Sequence, residues 1–572
     1  MTDFVAAHGG ALQDLYLQGE EREQAWREAQ KLPSWNLSLR QMCDIELLLN
    51  GGFSPLTGFL NAAEYRRVLA EMRLTDGTLW PMPITLDVSA AFADQVKVGD
   101  CIALRDPEGI ALALLAISDH WVADKTAEAH ALFGSEDEAH PGVFYLRQQA
   151  GPVYLGGRLY GLEAPRHYDF PAYRHTPRGL RAYFHERGWR NVVALQTRNP
   201  LHRAHVELLL RAARQVAGEP LIHPVVGMTK PGDIDHYARV RCYRHVVAHQ
   251  RDPALALSLL PLAMRMAGPR EALWHAIIRQ NFGCRYFIIG RDHAGPGKNR
   301  RGEDFYPPYA AQALVQVHQA ELAIRMLPFQ AMVYSPARRA YCTVDEIDPG
   351  EATLELSGTE LRRKLEREEA IPDWFSYPEV IAELRELYPP KSRQGFTVFF
   401  TGLPAAGKST LANALRVKLM ESGQRKVTLL DGDHVRKHLS SELGYSTEHR
   451  NLNVTRIGYV AYEITRNGGI AICAPIAPYA ASRRQVREMI EPVGGFIEVH
   501  VATTLEVCAA RDPKGLYAKA KAGLLKGLTG VDDPYEIPAA PELRIDLGVT
   551  SVPAALAQVY THLIKLGYLS VA

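Results

Sequence analysis

The stretch Gly402-Leu403-Pro404-Ala405-Ala406-Gly407-Lys408-Ser409 constrains the fold of this chain more than any other. An apolar run, Phe396 to Thr401, precedes it and an amphipathic run follows, so the spacing predicts strand, tight loop and helix in a parallel α/β sheet. The two glycines let the backbone curl until successive N–H groups from Gly402, Leu403, Pro404, Ala405, Ala406 and Gly407 to Ser409 and Thr410 surround phosphate oxygens, Pro404 contributing shape but no donor. Lys408 is expected to bridge the β- and γ-phosphates of a nucleotide, and Ser409 to offer its hydroxyl to magnesium. The next strand-like run, Lys426 to Leu430, delivers Asp431-Gly432-Asp433. Alone, such a triplet is more often a turn than a site. Beside a phosphate loop its carboxylates suit magnesium-bound water (Asp431) and the proton of an attacking hydroxyl (Asp433).

A second, unlike device stands earlier, at Gln196-Thr197-Arg198-Asn199-Pro200-Leu201-His202-Arg203-Ala204-His205. Asn191 to Leu195 reads as a short strand and Pro200 to about Val216 as a helix that Asn199 caps. His202 and His205, three apart, then share a face near the positive end of the helix and can donate to β- and γ-phosphates. Taken singly, the pair fits core packing as well, and zinc less well because no third ligand is evident nearby. Gln196 and Arg198 end the strand, where they can meet an oxyanion. A further strand, Arg285 to Gly290, opens the loop Gly290-Arg291-Asp292-His293-Ala294-Gly295-Pro296-Gly297, whose Arg291 can neutralise charge developing on an α-phosphate.

Bulk properties limit the alternatives. At 572 residues the chain exceeds one core and predicts roughly three to four domains of about 150 residues. A formal net charge of +1 without a long Lys/Arg run leaves out a bulk nucleic-acid footprint, whereas small anions need only a few placed cations. The seven cysteines are odd in number, scattered and never spaced CxxC, which favours buried reduced thiols. No basic-then-apolar leader is evident at the start, and no apolar run approaches the ~18 residues of a membrane span. A cytoplasmic location with no membrane partner is the expectation.

Along the chain, residues 1–168 carry short β-branched runs broken by Gly, Pro and Asp, such as Pro83 to Val88 and Val96 to Leu104, and read as a mostly β domain. Strand–helix alternation over 169–329 predicts a nucleotidyltransferase-like parallel α/β domain with its site at the carboxyl ends of the strands. Residues 330–390 read as a small helical domain, with Ser357-Gly358-Thr359-Glu360 as a capping box. The segment Tyr334 to Tyr341 is either a mobile loop or solvated surface. A linker around Pro389 to Gly395 leads into the phosphate-loop domain, 394–572.

The C-terminal residues resemble adenylylsulfate (APS) kinase. Asp431-Gly432-Asp433-His434-Val435-Arg436, Arg450 with Asn453 and Arg456, Arg511 to Tyr517, Lys519 to Gly523 and Thr529 to Glu536 carry that resemblance. It implies phosphorylation of the 3′-hydroxyl of adenylyl sulfate (APS). Asp433 is the implied base. Arg436, Arg450 and Asn453 hold the substrate, joined by Tyr445 and by Lys521 from a lid. Three positions depart from the family pattern. Leu528 stands where an aromatic usually stacks on adenine, Tyr445 replaces a phenylalanine, and Ala477 replaces a serine. The lost stacking is worth roughly 0.5–1.5 kcal/mol, so weaker substrate binding is expected.

Residues from about 10 to 388 resemble ATP sulfurylase, through the two loops above and through Leu48 to Leu56, Met264 to Ala272 and Ile371 to Pro378. This implies a PUA-like N-terminal domain, a Rossmann-like catalytic domain, and in-line attack of sulfate on the α-phosphorus of MgATP. Gln196, Arg198 and the backbone at Ala294 are implied to bind sulfate, with Thr197 shaping the loop. Asn199 and Arg291 stabilise the transition state, and His202 and His205 grip the β/γ-phosphates. Gly290, Asp292 and His293 complete the nucleotide site. Together the resemblances imply a homo-oligomeric bifunctional enzyme using ATP, sulfate and APS with magnesium and no organic cofactor. The chief rival is a sulfurylase whose C-terminal unit only senses nucleotide, in which the first site can even run toward ATP. An RNA-processing enzyme is disfavoured, because no Lys-Met-Ser-Lys-like loop or basic extension appears.

Overall fold

The computed structural model describes residues 5–423 and 425–570. The chain forms two compact units, one of Met1–Leu361 with Ala370–Leu387, the other of Arg362–Glu369 with Tyr388–Ala572.

The first unit begins with strands β1 (Ser34–Asn36), β2 (Gly58–Phe59), β3 (Leu86–Val88), β4 (Cys101–Arg105), β5 (Ala111–Val122) and β6 (Val153–Gly161). They form a sheet in the order β1-β4-β5-β6-β2, with β3 also on β6. Short helices accompany it, among them Leu39–Leu49 and Ala62–Glu71. Both have complete capping boxes, Ser38 with Gln41 and Asn61 with Glu64, so each start is set by its own sequence.

A second sheet follows, of β7 (Val193–Leu195), β8 (Pro220–Ile222), β9 (Ala256–Leu257), β10 (Tyr286–Ile289) and β11 (Arg325–Pro328). Every pairing is parallel, in the order β11-β10-β7-β8-β9. From β7 the chain winds outward to β8 and β9, then returns to build β10 and β11 on the other side. The reversal lies between β7 and β10, where the loops leaving two neighbouring carboxyl ends diverge and leave a crevice. The helix Gly268–Asn281 packs on this sheet and is buried at every residue except Pro269 and Arg270. That includes the charged Glu271 and Arg279, each 0% exposed.

The segment 330–390 differs from the helical expectation. It opens with a hairpin, β12 (Met332–Ser335) and β13 (Ala340–Thr343), in which Tyr334 faces Tyr341. Strand-forming Val, Tyr and Thr alternate on both arms, and Arg338 in the turn pairs with Asp348 and Glu351 at 2.7 and 2.6 Å. The Tyr334–Tyr341 stretch is thus the end of two paired strands joined by an exposed turn over residues 336–339. The helices Gly358–Glu366 and Pro378–Leu387 come after it; Ser357 Oγ accepts from the Glu360 N–H at 3.1 Å, as its cap spacing requires.

In the second unit, β14 (Phe396–Thr401), β15 (Val427–Asp431), β16 (Ile470–Ala474), β17 (Gly495–Val501) and β18 (Leu543–Ile545) form a parallel sheet in the order β15-β16-β14-β17-β18. All residues of β14, β16 and β17 are buried, the pattern of strands covered by helices on both faces. Among the described residues no helix is long and apolar enough to cross a membrane. The seven cysteines are free, six of them buried.

Candidate active sites

The loop after β7 folds around its own threonine. Thr197 Oγ1 accepts from the Asn199 N–H and reaches the Asn199 carbonyl, both at 3.0 Å; the Tyr243 hydroxyl donates to that same carbonyl at 2.8 Å. Asn199 is therefore held by its backbone, and its side chain is exposed. This corrects the expected cap. The helix begins only at Arg203, with His202 at the N-cap position, because the Thr197 turn keeps the preceding residues out of helical geometry.

His205 Nδ1 accepts the His202 backbone N–H at 3.2 Å. A nitrogen that accepts carries no proton, so the neutral His205 ring bears its proton on Nε2. His202 Nδ1 lies 2.9 Å from Ser376 Oγ, and its ring packs 4.4 Å from that of Phe375. Burial, with His205 beside it, pushes His202 down to about 3, and burial also lowers His205. Both rings are neutral near pH 7 and act as hydrogen-bonding groups rather than cations.

Arg198 is aimed by a carboxylate, Asp233, at 2.5 Å, and its other terminal nitrogen lies 3.5 Å from the Gly295 carbonyl. That second contact brings the β7 loop together with the loop after β10. Gln196 Oε1 is buried without a partner, as is Asp233 Oδ2. In the second loop Asp292 and Ala294 both adopt φ of 54°, the left-handed region that costs a non-glycine residue of order 1 kcal/mol or more. Arg291 is half exposed, 3.1 Å from Asp292. A Cβ at Gly290 would meet nothing within 4 Å, so open space lies beside the mouth of β10. His293 contacts His275 of the buried helix at 3.1 Å.

In the second unit the phosphate loop has Gly402, Ala405 and Gly407 at φ of 154°, 61° and 103°. A Cβ at Gly402 would sit 2.5 Å from the Val501 carbonyl, so glycine is required there by space as well as by curvature. Lys408, the first residue of the helix Lys408–Glu421, turns back onto its own loop and donates to the Gly402 and Leu403 carbonyls at 2.9 and 2.7 Å. Burial pushes it down to about 8, against the upward pull of Cys508, Asp431 and Asp433. Ser409 Oγ donates to Asp431 Oδ2 at 2.6 Å, and Asp431 Oδ1 accepts the Asp433 N–H at 3.1 Å. The pair of hard oxygens beside a phosphate loop fits magnesium, which takes oxygen donors and keeps several waters. Asp433 is exposed and ion-paired with Lys514.

The residues expected around the second substrate divide. Arg436 donates to the Leu443 and Gly444 carbonyls at 2.9 and 2.8 Å and lies 4.5 Å over the Tyr445 ring, which is itself 70% exposed. Arg450 donates to Thr529 and Asp533, both at 2.6 Å, and to the Gly527 carbonyl. Asn453 is buried with Oδ1 unpartnered. Lys521 ends the short helix Leu516–Lys521 and is exposed. Leu528 is packed into the hydrophobic core and only 8% exposed. Ala477 sits at φ 46°, and its carbonyl accepts from Arg483 at 2.7 Å. Asp233 and Tyr243 were not marked by any motif, while Ser376, Lys514 and Asp533 lay inside the stretches that carry the resemblances but without a role, since each acts across a gap in the chain that no local spacing marks.

With this geometry in hand, comparison with known proteins is direct. The sequence matches the PUA-like domain family over residues 5–164, the ATP-sulfurylase family over 171–387 and the adenylylsulphate kinase family over 394–546. It is 54% identical over 554 residues to a sulfate adenylyltransferase of Mycosarcoma maydis, covering 96% of each chain. It is 52% identical to one of Phaeosphaeria nodorum, covering 98% of this chain and 99% of the other. Among solved structures it resembles the hexameric APS kinase from Thiobacillus denitrificans, with a TM-score of 0.81 and 40% identity, covering 99% and 100% of the two chains.

Proposed function

Because the chain belongs to the sulfate adenylyltransferase family and carries an adenylylsulfate kinase domain behind it, we propose that it makes 3′-phosphoadenylyl sulfate from sulfate and two molecules of ATP. The observation that carries this reading is the loop of each parallel sheet. Sulfate-site candidates leave β7 and β10 where the strand order reverses, and the phosphate loop leaves β14 beside the carboxylates that end β15.

In the first step a sulfate oxygen attacks the α-phosphorus in line, forming an O–Pα bond as the Pα–O–Pβ bond breaks and pyrophosphate leaves. Gln196, Arg198 and the backbone at Ala294 hold sulfate, Arg198 already oriented by Asp233. Asn199 and Arg291 meet the charge that grows at the α-phosphate. His202 and His205 bind the β/γ-phosphates as neutral rings, His205 through its Nε2–H, and so stabilise the leaving group without a buried cation. Gly290, Asp292 and His293 border the nucleotide.

In the second step Asp433 takes the proton of the ribose 3′-hydroxyl, whose oxygen attacks the γ-phosphorus as ADP leaves. Lys408 exchanges its two loop carbonyls for phosphate oxygens, and Lys514 must release Asp433. Asn453, with Arg436, Arg450, Tyr445, Lys521 and the apolar Leu528, frames the adenylyl sulfate. Enzymes of both kinds generally use magnesium; when bound here it would neutralise the triphosphate, held by Ser409 and Asp431. Consuming the energy-rich sulfate–phosphate anhydride draws the first reaction forward. We read the chain further as a homo-oligomer of the cytoplasm, a reducing compartment that suits seven unpaired cysteines.

The test is transfer of γ-labelled phosphate from ATP to adenylyl sulfate, native chain against Lys408→Ala. The expected result is labelled product that falls roughly 100-fold or more in the variant. If neither transfers label while sulfate-dependent pyrophosphate release persists, the second unit is a nucleotide sensor and the two-step reading is wrong.

A further inference from the structure

One face of the buried helix Gly268–Asn281 carries Glu271, His275 and Arg279, four residues apart and each 0% exposed. Such a polar stripe inside a core costs stability unless its groups are engaged. Glu271 is engaged first by backbone: Oε1 accepts the Arg265 N–H at 3.0 Å and Oε2 the Ala267 N–H at 2.8 Å. Burial pushes this carboxyl up, while the two N–H groups it accepts and the nearby Arg265 pull it back toward the carboxylate. His275 Nε2 lies 3.3 Å from Glu271 Oε1, an electrostatic contact outside the angular limits of a hydrogen bond. His275 Nδ1 lies 3.1 Å from Nε2 of His293.

The carboxylate decides where the protons sit. A bare Nε2 on His275 would set its lone pair 3.3 Å from the Glu271 oxygen, whereas an Nε2–H is attracted to it even off-axis, so the arrangement favours the hydrogen on Nε2 and a bare Nδ1. His293 must then donate its Nε2–H to His275, which leaves Nδ1 of His293 as an acceptor. Burial keeps both imidazoles neutral, and Arg279, whose guanidinium lies 5.3 Å over the Phe287 ring, disfavours their protonation further. The same Phe287 ring stands edge-on to His293, with centroids 5.5 Å apart. Position and tautomer of His293 are both set from beneath.

We infer that Glu271 and His275 are positioning residues of the first active site, a buried chain of acceptors that fixes the ring of His293 and with it the loop bearing Arg291. Neither touches substrate. The inference rests on the proposed reading of that loop as part of the nucleotide site.

Two substitutions of His275 separate this role from core filling. Asn places its amide oxygen near the position of Nδ1 and can still accept from His293, whereas Phe fills the volume but offers no acceptor. Sulfate-dependent pyrophosphate release by the full chain should fall by at least about tenfold in His275→Phe, as lost outer-shell orientation typically does. It should be largely retained in His275→Asn, with label transfer to adenylyl sulfate unchanged in both. A purely packing role gives the opposite order, since Asn leaves a cavity and buries an amide. His275→Phe at the native rate, or His275→Asn falling as far as His275→Phe, overturns the inference. A native chain without sulfate-dependent release would overturn the reading of the loop instead.

Discussion

Charged side chains in this protein work mainly through what already holds them. Arg198 is steered by Asp233, and Arg450 is held by Thr529 and Asp533. Arg265 and Asp44 form an ion pair with side chains 2% and 3% exposed. Burial outweighs attraction in that pair, raising Asp44 and lowering Arg265, so it fixes geometry more than it adds stability. Lys408 yields a sharper consequence. It is needed as a cation, yet burial pushes it down to about 8 in the unliganded chain. For the kinase step, kcat/KM for ATP should fall as pH rises through about 8, because that ratio reports the free enzyme. The bound phosphates raise the lysine again, so kcat should stay level over the same range. A pH profile of both constants checks this, and a flat kcat/KM to pH 9 or beyond would count against it. Residue types were legible in the sequence where a short motif carried them, as at Lys408 and His202. Their partners were not, because Asp233 and Ser376 reach the site from 35 and 174 positions away.

At the scale of elements, strands were easier to read than helix starts. Phe396 to Thr401 is strand β14 residue for residue, since an unbroken apolar run before a phosphate loop has few other uses. The helix after β7 starts at Arg203 instead of Pro200, because the His202 N–H that an Asn199 cap would take is bound by His205 Nδ1 instead. The hairpin β12–β13 was hidden because strands of four residues leave too short a period to detect. Close packing leaves a different trace in the helix Thr447–Arg466. Its Gly458 would place a Cβ 2.5 Å from Val486 in the helix Ala480–Ile490. Gly458→Ala gains up to about 1 kcal/mol of helix propensity, but overpacking costs about 1–3 kcal/mol. The variant should therefore be less stable than native by denaturant titration, a sign opposite to propensity alone.

On the scale of the whole molecule, the chain forms two compact units, each with its own parallel sheet, and Arg362–Glu369 from within the first resemblance falls in the second unit. What the sequence could not disclose was the number of copies in an assembly, because contacts between copies leave no spacing in a single chain. On the proposed homo-oligomeric reading, light scattering should return a multiple of 63.6 kDa. A mass of one chain would reject that. The division into units also has a bearing on cellular supply. Two catalysts made as one polypeptide are born in a fixed ratio of one to one, so no change in expression can favour either. Within this chain, throughput can be balanced only by altering turnover, so a substitution that slows the second unit shifts the balance of every copy made.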